Sequence, residues 1–214
     1  MLLQPDQRRK LDETDDTLFY DVPRFVTHVD EHFIQQLTDL YRTRLKPNTR
    51  ILDLMSSWVS HLPDEMEFAH VEGHGLNAEE LARNPRLDHY FVQNLNKNQL
   101  LPLPDQSFDA VLNTVSVQYL QRPEAVFAEI YRVLKPGGIA IVSFSNRMFY
   151  QKAIQAWREG SEGDRVALVK QYFAAIPGFT PAEMISKASP ISGVMQLFGI
   201  PGTDPFYALI AQRS

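Results

Sequence analysis

Residues 108–146 read FDAVLNTVSVQYLQRPEAVFAEIYRVLKPGGIAIVSFSN, and their pattern decides the fold class. Phe108–Leu112 is a run rich in apolar residues, short enough for a buried strand. Pro123 suits the first turn of a helix, where a missing N–H costs nothing. From there Val126, Phe127, Ile130, Val133 and Leu134 recur at helical spacing and form one apolar stripe. Pro136-Gly137-Gly138 stops that helix and turns the chain. Ile139–Phe144 is nearly all apolar, as a strand covered on both faces would be. The stretch predicts a parallel strand–helix–strand unit with a right-handed crossover.

Composition sets the outer limits. A chain of 214 residues, 44% of them hydrophobic, can bury one sizeable core. A net charge of −5 offers no basic footprint, which argues against nucleic acid as the main partner. With no cysteine there is neither a disulfide nor a thiolate nucleophile, in keeping with a cytoplasmic location. The opening MLLQPDQRRK lacks the apolar run of a signal peptide, and no stretch approaches the ~18 apolar residues of a membrane span.

FDAV followed by RVLKPGG and an apolar strand, with Leu101-Pro102-Leu103-Pro104-Asp105-Gln106-Ser107-Phe108-Asp109 as lead-in, resembles the class I methyltransferases that use S-adenosylmethionine (SAM). More narrowly it is similar to their small-molecule, type 11-like group. The resemblance implies an α/β fold: a Rossmann-like, doubly wound, mostly parallel sheet of about seven strands, the last antiparallel, with an N-terminal helical lid. It divides the chain into a lid over residues 1–48 and a methyltransferase domain over 49–214, with residues 150–188 as a substrate cover. SAM is the implied cofactor, S-adenosylhomocysteine the product and a small molecule the acceptor. The oligomeric state is not implied.

Taken in order, residues 1 to about 17 are polar and expected to be mobile. Phe19, Tyr20 and Phe25 then cluster around Arg24, which could stack on the rings, clamp a carboxylate or face solvent. Asp30 is placed to cap a helix running through Phe33, Ile34, Leu37, Leu40 and Tyr41 to about Leu45. Arg50–Leu54 corresponds to the first strand of the family, with Asp53 matching its acid. Where the family then has alternating glycines, this chain has Leu54-Met55-Ser56-Ser57-Trp58-Val59-Ser60-His61. Ser56 and Ser57 bring hydroxyls for the methionine carboxylate at the start of a short following helix, ended early by Pro63. Trp58 is bulky enough to fill the loop instead.

Further along, Phe68–Glu72 predicts a second strand and Asn77 the cap of the next helix. The family's ribose-binding acid would then fall at Gly75, beside Leu76, so it is absent in that register; Glu72 serves only if the strand ends earlier. His70 and His74 alternate with Glu72, but four residues of extended chain separate their imidazoles by ~13 Å, so no metal is expected. Tyr90–Gln93 is the third strand, followed by Asn94 and Leu95 as the adenine edge or an Asx-turn. Past the fourth strand, Asn113, Gln118 and Tyr119 lie where open α/β sheets bind ligands. After the fifth, Arg147 offers an anion anchor. Helices are expected over 150–158 and 163–176, a loop or hairpin over Ser189–Gly202 and a final strand over Pro205–Gln212. His61, His28 and Tyr119 are the candidates for a catalytic role, with Tyr20 and Arg24 on the substrate side. The alternative is a methyltransferase-like domain that binds a ligand or partner and catalyses nothing.

Overall fold

A computed structural model describes residues 2–187 and 203–214; the loop expected at Ser189–Gly202 lies outside them. Seven strands, β1 (Arg50–Leu54), β2 (His70–Gly75), β3 (His89–Val92), β4 (Phe108–Thr114), β5 (Leu134–Phe144), β6 (Glu183–Lys187) and β7 (Phe206–Gln212), make one sheet in the order β3-β2-β1-β4-β5-β7-β6. β1 to β5 pair in parallel, and β7 runs antiparallel to both its neighbours. This is the Rossmann-like sheet the motifs imply. The strand order reverses between β1 and β4, so their carboxyl ends open a crevice at that edge.

Successive residues of β1 point to opposite faces, and both faces are buried. Ile51 meets helix α2 (Glu31–Arg44), whose Phe33, Leu37, Leu40 and Tyr41 form one stripe. Asp30 starts that helix by accepting from the Phe33 N–H. Leu52 and Leu54 face the other layer, helices α4 (Pro123–Val133) and α6 (Glu162–Ala174), where the Phe127 ring packs edge-on against Tyr172 and Phe173. Burying each such side chain stabilises the fold by roughly 1.5–3 kcal/mol. Three shorter α-helices occur among the described residues: α1 (Asp16–Phe19), α3 (Ala78–Ala82) and α5 (Gln155–Arg158).

Four expectations need correction. The Lys135–Gly138 segment is not a separate turn but the irregular start of β5, where the register shifts between Phe108 and Ala110. Gly137 takes φ +79° there, and a Cβ on Gly138 would lie 3.0 Å from the Asp109 carbonyl oxygen. No helix follows β1. Met55 and His61 both have positive φ and Pro63 lacks an N–H, so too few helical residues run together to close a turn. Residues 2–17 are tied down: Leu3 is in the core, Arg8 pairs with Glu124, and Lys10 is buried against Asp16. Residues 183–187 pair as the edge strand β6, an element the sequence left unassigned.

Candidate active site

A cleft of about 280 Å³ lies at the carboxyl ends of β1 to β4, near the lower end of the ~300–1,000 Å³ typical of small-molecule sites. Asp53 is its floor. The carboxylate is buried, and its Oδ2 accepts from the Ser56 and Ser60 hydroxyls, each at 2.6 Å. Burial raises the Asp53 pKa to about 6, with the two hydroxyl donors pulling the other way. No cation lies within ion-pair distance of it among the described residues.

His74, at the end of β2, holds the glycine-less loop in place. The Met55 N–H donates to its Nδ1 at 3.1 Å, so Nε2 carries the proton and donates to the Gln93 carbonyl at 2.9 Å. Burial lowers its pKa to about 4, which keeps this neutral tautomer. One imidazole thus joins the ends of β1, β2 and β3 and fixes Met55 at φ +60°, a conformation that glycine adopts at less cost. The peptide N–H groups of residues 57–61 take no acceptor among the described residues, and all five residues line the cleft. Gly75 approaches so closely that a Cβ would lie 2.6 Å from the Ser56 carbonyl oxygen.

A strap of N-terminal chain forms the opposite wall. Asn77, whose Oδ1 caps α3, donates through Nδ2 to the carbonyls of Tyr20 and Asp21. Glu80 accepts the Arg24 N–H on one oxygen and the Ser57 hydroxyl on the other, both at 2.7 Å. Trp58 turns towards the strap: its Nε1 donates to the Val26 carbonyl at 3.1 Å and its ring meets Phe25 edge-on. The indole therefore walls the cleft and leaves space above Asp53.

Most sequence-predicted site residues converge here. Asp53, Met55, Ser56, Ser57, Gly75, Leu76, Asn94 and Leu95 line the cleft, as do Tyr20, Arg24, His28, His61, Tyr119 and Arg147. Leu54, Asn113 and Gln118 do not. Leu54 packs in the core, Asn113 donates to the Leu54 carbonyl beneath the loop, and Gln118 donates to the Val115 carbonyl, leaving Thr114, Val115 and Ser116 at the surface of the cleft. Neither serine hydroxyl faces an open donor site, since each is directed at an acid. Asn94 closes an Asx-turn onto the Asn96 N–H, with a second lone pair free. Arg147 is already paired with buried Asp204 at 2.7 Å. Glu72 sits opposite Leu52 within the sheet and is held by His70 and His89, away from the cleft. Of the expected cover over 150–188, the described residues 150–187 do not line the cleft, and α6 is a core helix.

Ser60, His74, Glu80 and Phe149 escaped the sequence reading. Glu80 looked like an ordinary first-turn acid; its only signal was its place three residues after the Asn77 cap. Of the two histidine candidates, His61 is held neutral, its pKa lowered to about 4 by burial. Tyr119 accepts the Phe149 N–H, and burial raises its pKa to about 12.

Residues 68–142 match the family model described as a methyltransferase domain. Over those residues the chain is similar to methyltransferase domains. A probable S-adenosylmethionine-dependent methyltransferase of Mycolicibacterium smegmatis is 37% identical over 87 residues, which is 41% of this chain and 29% of that protein. The malonyl-[acyl-carrier protein] O-methyltransferase of Marinomonas sp. is 28% identical over 101 residues, 47% and 37% of the two chains. The chain thus spans about a third of the curated relatives it matches. A SAM-dependent methyltransferase structure from Mesorhizobium loti superposes with a TM-score of 0.54 at 19% identity, covering 82% of this chain and 96% of that one. No helix among the described residues is long and apolar enough to cross a membrane.

The Mycolicibacterium smegmatis relative is SAM-dependent. The cleft fits the chemistry of SAM: an acid without a cation at Asp53, a run of N–H groups over 57–61 unpaired among the described residues, and a second acid at Glu80.

Proposed function

We propose that the chain transfers a methyl group from SAM to a small-molecule acceptor bound under the N-terminal strap. Asp53 takes the amino-acid ammonium, the N–H groups of residues 57–61 the carboxylate, and Glu80 the ribose hydroxyls. Gly75, Leu76, Asn94 and Leu95 frame the base. The observation that carries the proposal is the space left above Asp53 by Trp58, which is drawn to the Val26 carbonyl.

When bound, SAM supplies a methyl group already activated on a sulfonium sulfur, so the protein's task is to align the acceptor and exclude water. The strap and Trp58 supply the cover. Tyr119, fixed by the Phe149 N–H, walls the acceptor side. An acceptor that is already ionised needs no base; one that must lose a proton has only His61 and His28 as imidazoles free of ring hydrogen bonds in the cleft. A cytoplasmic location follows from the cysteine-free sequence as an expectation of the same reading.

Calorimetry with SAM and S-adenosylhomocysteine tests this. Binding at about micromolar level is expected. No heat and no thermal shift with either would leave a methyltransferase-like module that catalyses nothing.

A further inference from the structure

Arg24 is a cation without a counter-ion among the described residues. Its Nη2 donates to the Phe19 carbonyl at 2.8 Å, whereas Nη1 is buried and has no acceptor. The guanidinium carbon lies 4.7 Å from the centre of the Phe19 ring and 5.5 Å from that of Phe149. Glu80, the acid of the same wall, bonds the Arg24 main-chain N–H and the Ser57 hydroxyl, not the guanidinium. A charged donor left unpaired in a low-dielectric site is costly, more so than a neutral one. Arg147, the other arginine lining the cleft, differs in already having Asp204.

The rings around Arg24 also bear on the ligand. An ammonium-bearing acceptor would seek the faces of Phe19, Tyr20 and Phe149, but the guanidinium already lies against them. A planar carboxylate is the complementary partner, matched by the fork geometry of arginine. Val26, Val29, Met148 and Phe149 add apolar surface to the lining of the same cleft, beside the polar Thr27 and His28.

Resting on the methyltransferase reading of the cleft, we propose that the acceptor is a small carboxylic acid with an apolar body, and that its carboxylate docks on Nη1 of Arg24. Reaching Nη1 requires the Tyr20 or Phe149 ring to shift, and both rings line the cleft. The assignment concerns how the acceptor is held, not which of its atoms is methylated.

Benzoate and benzamide, equal in shape and different in charge, serve as calorimetric probes with and without saturating S-adenosylhomocysteine. Benzoate is expected to bind about ten-fold more tightly than benzamide, and Arg24→Met to remove that preference while S-adenosylhomocysteine affinity stays within about two-fold. Equal binding of acid and amide to the unaltered protein overturns the proposal, as does no binding of benzoate at about 20 mM. So does a variant that loses S-adenosylhomocysteine binding but keeps the preference for benzoate. If Arg24→Met does not fold, the wild-type comparison and Arg24→Lys, expected to weaken the preference, decide the question. Failure to bind S-adenosylhomocysteine with the benzoate preference intact would count against methyl transfer and leave the acid site standing.

Discussion

Asp53 is buried beside two serine hydroxyls and, among the described residues, no cation, and its proposed role as the ammonium site rests on that imbalance. With a pKa of about 6, it becomes a carboxylate as pH rises through that value. S-Adenosylhomocysteine affinity should therefore increase between about pH 5 and pH 7, while the ligand's α-amino group stays charged. Asp53→Asn should flatten that dependence and weaken binding about 10- to 100-fold, as the loss of a charge-assisted hydrogen bond does; calorimetry across this pH range reads both. Strain is also local to the cleft. Met55, His61 and Val115 all have positive φ and all line it, and Val115 is β-branched, for which that conformation is most costly. Val115→Gly should relieve about 1–2 kcal/mol of strain, largely offsetting the lost packing. Its melting temperature should fall by no more than about 2 °C; a fall of 8 °C would show that the conformation is not strained.

Two elements are held by side chains whose purpose is invisible locally. The N-terminal segment carries Lys10 and Asp16 as a buried pair, with Lys152 3.5 Å from the same acid. Removing Asp16 leaves the buried Lys10 ammonium without its acceptor, whereas Lys152 keeps Asp12 and Thr14, so Asp16→Ala should cost about 3 kcal/mol in urea unfolding. The strap is lighter work, fastened by Asn77, Glu80 and Trp58. Trp58→Phe keeps an aromatic ring against Phe25 but deletes the donor to Val26. It should weaken strap closure by about 1 kcal/mol, seen as roughly five-fold faster amide exchange over residues 20–28. Unchanged exchange would mean that the indole nitrogen does not hold the strap.

Across the whole molecule, buried titratable groups oppose one another. His61 and His74 stay neutral in the fold to about pH 4, whereas an unfolded histidine protonates near 6.5. Between those values the unfolded state binds more protons, so stability falls as pH falls through this window. Asp53, with its raised pKa, binds a proton in the fold before it does so unfolded, and acts in the opposite sense between about 6 and 3.8. The two imidazoles outweigh the one acid. Urea unfolding between pH 6.5 and 4 should lose stability at about 1 kcal/mol per pH unit, and His74→Phe should reduce that slope.

The residues themselves were enough for the architecture. Two short apolar runs, a helical stripe and the glycines of RVLKPGG are local signals, and a parallel sheet is the fold that buries them together. Asp30 and Asn77 as caps, and Asp53 as the acid closing β1, were equally legible. Three-dimensional packing alone decided what fills the loop after β1. Whether Trp58 blocks the cleft depends on a carbonyl 32 positions away, and the backbone that glycines would have shaped is held by an imidazole 19 positions on. Glu80 belongs with these, since its partners lie 23 and 56 residues distant. Such contacts leave no periodicity in the chain, because they are set by where side chains meet after folding and not by the repeat of any one element.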